Sequence, residues 1–116
     1  MDVRHRLGEE GEARAADWLK GRGWRILARR WRCKLGEIDL IALDGDIMVF
    51  VEVKTRLSSR FGSPEESIRH AQKRRLVRAA TAYLRCFGGV GRAARFDVIA
   101  LDVKGLRHIP NAFGCA

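Results

Sequence analysis

Two runs of alternating apolar residues flank Asp44-Gly45, and no other feature constrains the fold of this chain as tightly. Asp-Gly between such runs is a strong hairpin signal, because a tight turn whose twist matches the strands needs residues that tolerate positive φ. With a two-residue turn at Asp44-Gly45, Leu43 is expected opposite Asp46, Ile41 opposite Met48, Asp39 opposite Phe50 and Glu37 opposite Glu52. Residues 38, 40, 42, 47, 49, 51 and 53 then share one face, and each is Ile, Leu, Ala or Val. The other face carries Glu37, Asp39, Glu52 and Lys54. A turn one residue longer would mix the two sets, so the pattern itself supports the pairing.

This register sets Asp39 diagonal to Glu52, at a Cα separation of roughly 7–8 Å. Two carboxylates so placed can reach one divalent ion, at about 2.1 Å for Mg²⁺. Glu37 directly opposite Glu52 is destabilising without a counter-charge, which Lys54 or a cation would supply. The competing reading is a charged strand face that merely discourages edge-to-edge pairing.

The remaining elements fall on either side of the hairpin. Residues 8–22 read as a helix, with Glu12, Ala15, Ala16 and Leu19 on one stripe and Gly21 and Gly23 at its end. Glu12 should therefore face the sheet, where a carboxylate is rarely buried without a partner. Trp24 to Arg32 reads as a strand, blurred by the adjacent apolar pair Ile26 and Leu27. A loop leads to a second helix starting near Glu65, with Ser63 as N-cap and Pro64 in the first turn. Gly88-Gly89 close that helix. Phe96 to Val103 and about Leu106 to Ile109 follow as a strand pair, within which Asp97 is expected to pair with an arginine. The order is αβββαββ in a single domain, residues 1–116, with a core over about 8–110 and short tails.

Composition narrows the partner. The 23 basic residues exceed the 14 acidic ones, for a net charge of +9, and they are clustered. Residues 20–34 hold Lys20, Arg22, Arg25, Arg29, Arg30, Arg32 and Lys34 with no acid, and residues 69–95 are likewise acid-free. A polyanion held beside clustered acids requires cations between them, and the planar fork of arginine suits phosphate. No apolar run is long enough to span a bilayer. The N-terminus has no apolar signal region. Cys33, Cys86 and Cys115 match no zinc spacing and read as reduced thiols of a cytoplasmic protein.

The runs Gly8-Glu9-Glu10-Gly11-Glu12, Gly36-Glu37-Ile38-Asp39-Leu40-Ile41, Phe50-Val51-Glu52-Val53-Lys54-Thr55-Arg56 and Arg95-Phe96-Asp97-Val98 resemble the bacterial YraN-like family. Through it they resemble the PD-(D/E)XK, restriction-endonuclease-like superfamily, although Ile38 stands where that pattern has proline. The resemblance implies an α/β fold with an αβββαβ core, a mixed central sheet flanked by helices. It implies a metal-dependent nuclease acting on DNA more readily than RNA, including branched DNA. Mg²⁺ or Mn²⁺ would be held by Asp39, Glu52, Glu12 and the Val53 carbonyl, with Lys54 as the catalytic base or water-orienting group. Glu37 is a further acid of that site. Gln72 or Lys73, on the helix after Glu-x-Lys, would lie beside it. With Arg30, Arg32, Arg56 and Arg74 these are the candidates for holding the nucleic acid. A homodimer suits cleavage of both strands. Two other readings stay open: a non-cleaving nucleic-acid-binding module of the same fold, and a structural basic protein associated with nucleic acid or the ribosome.

Overall fold

Ala15, Ala16 and Leu19 are fully buried, so the stripe legible in the sequence is the face that the first helix lays on the sheet. The computed structural model describes residues 3–55, 70–88 and 91–113, with side chains from Gly8 onward. Its elements run α1 (Val3–Gly21), β1 (Arg25–Cys33), β2 (Gly36–Asp44), β3 (Ile47–Thr55), α2 (His70–Phe87), β4 (Ala94–Asp102) and β5 (Gly105–Phe113). The expected start of the second helix near Glu65, with Ser63 and Pro64, lies outside the described residues.

The end of α1 shows how local chemistry places an element. The Trp24 amide donates to the Leu19 carbonyl at 3.1 Å and the Gly23 amide to that of Lys20 at 3.0 Å. Gly23 has φ +89°, the left-handed backbone that closes a helix in this pattern. Leu19 and Trp24 then enter the same apolar cluster, and the chain turns directly into β1.

The five strands stand in the order β1-β2-β3-β4-β5, with β3 and β4 parallel and every other neighbour antiparallel. A parallel pair needs a crossover, which the segment containing α2 supplies. On one face α1 covers Leu40, Ala42, Val49, Val51, Ile99 and Leu101. On the other, Leu76, Ala79, Ala80 and Tyr83 of α2 cover Ile41, Met48, Phe50 and Phe96. The molecule is thus a mixed α/β fold with its sheet between two helices. Among the described residues no helix is long and apolar enough to cross a membrane.

The hairpin register differs from the sequence expectation by two places. Asp44 pairs with Ile47, Leu43 with Met48, Ile41 with Phe50 and Leu40 with Val51. The turn residues are Gly45 and Asp46 rather than Asp44 and Gly45. Gly45 has φ +60° and Asp46 is not in the positive region, so the single glycine supplies the only unusual angle this turn needs. A shift of two keeps every side chain on its face. The apolar pattern therefore could not reveal it. Continued by one rung, the observed ladder sets Asp39 directly opposite Glu52, and Glu37 no longer opposes Glu52.

Two further differences lie around β1. The pairing with β2 slips between Ile26 and Ala28, so Ile26 packs on the α1 side while Leu27 and Ala28 pack on the α2 side. This bulge explains the blurred alternation. Ile38, expected beside Leu40 and Ala42, packs with the α2 cluster instead. Its partner in β1 is Trp31, whose ring meets Tyr83 of α2 edge-on at 5.3 Å. Arg30 beside it has φ +50°, uncommon for a residue other than glycine and able to re-aim side chains along a strand.

Candidate functional site

Asp39 and Glu52 sit where β2 and β3 part. The Val53 amide donates to Asp39 Oδ2 at 2.8 Å, so a side chain satisfies a backbone donor beyond the last rung of the ladder. Gln72 of α2 donates through Nε2 to Glu52 Oε1 at 3.1 Å. Lys54, two residues along the same face, brings its Nζ to 3.6 Å from the same oxygen. Gly36, Glu37, Asp39, Glu52, Gln72, Arg75 and Leu76 line a cleft of about 250 Å³ at this end of the sheet.

The electrostatics follow from placing two carboxyl groups in one half-dry cleft. Burial pushes Asp39 up to about 6, with the negative charges of Glu12 and Glu37 adding to the effect and the Val53 hydrogen bond opposing it. Burial, followed by the charge of Asp39, pushes Glu52 up to about 8, against the opposing charge of Lys54. Between those two values the pair keeps one proton between its two carboxyls. The two titration steps belong to the pair rather than to either residue.

The other candidates separate into engaged and free groups. Glu12, with 15% of its side chain exposed, is held by Arg30 Nε, and Arg30 also reaches Glu9 at 3.5 Å. Its charge is felt at Asp39, but it is not part of the cleft lining. Glu12 raises the pKa of Arg30 through their hydrogen bond. Arg32 pairs with Glu37 at 3.3 Å on the cleft rim. The Lys73 ammonium lies 5.6 Å from the centre of the Phe113 ring, on the side of α2 that faces β5. Arg74 is exposed and does not line the cleft. Arg56 lies outside the described residues. Among the described residues no three His, Cys, Asp or Glu side chains converge closely enough to chelate an ion by themselves.

Asp97 does pair with an arginine, as its place in the sequence suggests, and it does more. It is wholly buried and accepts from Arg95 Nε at 3.0 Å and from the Asn111 amide at 2.9 Å. It also meets His108 Nε2 at 2.7 Å. The His108 ring sits edge-on between Trp18 and Trp24, and Arg95 continues to Asp44 at 3.2 Å. This saturated network ties β5 and the hairpin turn to β4 and has no opening to the cleft.

Sequence reasoning overlooked Arg75 as a cleft residue. The available signal was periodicity: Arg75 and Leu76 follow Gln72 at i+3 and i+4, on the side of the helix that meets β2.

A two-helix, mixed five-stranded sheet with paired acids at one end defines the class. The chain belongs to the uncharacterised protein family UPF0102, whose model matches residues 11–101. The YraN-like motifs of the sequence are those of this family. A UPF0102 protein of Anaeromyxobacter dehalogenans is 47% identical over 97% of this chain and 87% of its own length. One from Moorella thermoacetica is 48% identical over 96% and 98%. One from Symbiobacterium thermophilum is 50% identical over 84% and 82%.

Proposed function

We infer that this protein is a metal-dependent nuclease that hydrolyses phosphodiester bonds, in DNA more readily than RNA. The observation that carries the reading is the half-buried Asp39–Glu52 pair, lining an open cleft with Lys54 alongside. Two carboxylates forced together against burial are poised for a hard cation. Mg²⁺ is typically held by one or two carboxylates, waters and substrate phosphate, so this donor set fits it without a third acid. The residues that would hold it are Asp39 and Glu52. The Val53 carbonyl is a further candidate, since a strand residue projects its N–H and C=O from the same edge and the Val53 N–H faces Asp39. Bound there, Mg²⁺ or Mn²⁺ would polarise the phosphate and lower the pKa of water.

The chain's own groups do the rest. Val53 fixes the Asp39 carboxylate, and Gln72 fixes that of Glu52. Lys54 holds the attacking water and offsets negative charge at the phosphorus as the water oxygen adds, loses its proton to solvent, and the ester P–O bond breaks. The leaving alkoxide takes its proton from solvent. Cleavage of labelled single-stranded, duplex, flapped and four-way-junction DNA, and of RNA, with Mn²⁺ or Mg²⁺ tests this. Activity in the parent and none in Glu52→Ala is expected. Equal activity in the two would sink the assignment.

One observation favours a second reading, a nucleic-acid-binding module that does not cleave by itself. Glu12 is engaged by Arg30 instead of joining the two acids. Binding without cleavage by the pure parent, across that panel, would select this reading.

A further inference from the structure

Most of the described cations near the cleft are already engaged. Lys54 is on Glu52, Arg30 on Glu12 and Glu9, Arg32 on Glu37, and Lys73 lies over Phe113. Arg75 lines the cleft, is exposed, and has no acidic partner among the described residues. Its root is fixed. A Cβ on Gly36 would lie 3.4 Å from the Arg75 carbonyl and 3.7 Å from its Cβ, so α2 lies against the start of β2 at that point. A guanidinium on a fixed root, beside paired carboxylates and without a counter-ion, suits an anion brought in by the substrate.

The same helix continues the pattern. Arg78 and Arg85 are exposed, are likewise unpaired among the described residues, and lie further along α2, rotated about 60–80° from Arg75 toward solvent and away from the buried stripe. At 1.5 Å per residue they extend the positive row about 15 Å beyond the cleft. That distance covers roughly four nucleotides of a strand at about 3.4 Å each.

We propose that Arg75 anchors the backbone phosphate at the cleft and that Arg78 and Arg85 take phosphates further along α2. The substrate is therefore a polynucleotide strand running along this helix, rather than a mononucleotide or a short end. The proposal rests on the nuclease reading and adds the path of the strand.

The test is binding of labelled 20-nucleotide duplex and single-stranded DNA, followed by fluorescence anisotropy in EDTA over a range of salt. The proteins are the parent, Arg75→Ala, Arg75→Lys, Arg78→Ala/Arg85→Ala, and Lys20→Ala, which removes one exposed charge in the last turn of α1, toward the opposite end of the sheet. Arg75→Ala should weaken binding about tenfold, the loss of one charge-assisted contact. It should also lower the duplex salt slope by about 0.9. Arg75→Lys should recover part of the affinity. The double variant should lower the slope by about twice as much on the 20-mer and leave a dinucleotide unaffected. A Mn²⁺-dependent melting shift equal to the parent's shows that Arg75→Ala keeps the fold and the acid pair. If the parent binds and Arg75→Ala behaves as Lys20→Ala does, the anchor is overturned while the nuclease reading stands. If the parent binds no oligonucleotide, both fall.

Discussion

Val53 and Asp39 are joined by a 2.8 Å hydrogen bond from backbone amide to carboxylate, where a continuing ladder would have used a carbonyl of β2. That substitution ends the pairing of β2 with β3 and turns the Asp39 carboxyl toward Glu52. Asp39→Asn keeps an acceptor for the amide and removes the charge, so it should fold as well as the parent and lose cleavage. Asp39→Ala leaves the amide without a partner and should cost about 1–3 kcal/mol, read by urea denaturation. Equal stability of the Ala and Asn variants would show that the bond has no structural role.

The raised pKa values make a directional claim about stability. Asp39 and Glu52 hold protons more tightly folded than unfolded, so the folded chain binds more protons once pH exceeds their ordinary values of 3.8 and 4.5. Stability contributed by the pair is full below those values. It falls as pH rises, until the second group ionises near 8. Glu52→Gln should flatten this fall and melt above the parent at pH 8. Melting scans from pH 5 to 9 without metal read both effects, and a parent profile that rises across this window would contradict the shared proton.

Metal binding should run against that profile. A cation displaces the shared proton, so its affinity rises with pH. The Mn²⁺-induced increase in melting temperature should be small near pH 6 and grow toward pH 8, and EDTA should abolish it. Asp39→Asn should show little shift at any pH. A shift of equal size in that variant would place the ion elsewhere.

Lys54 lies 3.6 Å from Glu52, and the proposed mechanism gives it a part in the chemical step. Lys54→Ala should lower cleavage by about 10²–10³-fold, the usual cost of removing one group that stabilises charge in the transition state. DNA affinity measured in EDTA should change less than threefold. Matched cleavage rates for variant and parent under single-turnover conditions would remove Lys54 from the mechanism.

Asp97 predicts the opposite outcome. It is wholly buried and holds Arg95, His108 and the Asn111 amide. Asp97→Ala strands those partners and should cost about 3–5 kcal/mol. Asp97→Asn is milder, and at low temperature should cleave at the parental rate once folded. A large loss of rate in a folded Asp97→Asn protein would connect this network to the site.

The strands, the two helices and their facing residues were legible because apolar periodicity reports burial directly. Ala15, Ala16 and Leu19 could be read that way and are buried as read, and Leu76, Ala79, Ala80 and Tyr83 recur at the same helical spacing in α2 and are buried too. Asp39 and Glu52 stood out because acids at alternating positions beside apolar neighbours share a face. Their relative placement was not legible. Moving the turn from Asp44-Gly45 to Gly45-Asp46 shifts the register by two and preserves every face, so the pattern cannot distinguish a diagonal pair from an opposed one.

The sequence by itself determined which residues are inside, which strands form and which acids share a side, since each depends on spacing along one element. Only the tertiary structure decided which charges meet. Arg30 took Glu12, Arg32 took Glu37, and Arg75 was left facing the cleft. Those choices depend on where α1 and α2 lie against the sheet. Long charged side chains pair with whatever packing brings within reach, and spacing along the chain does not record that.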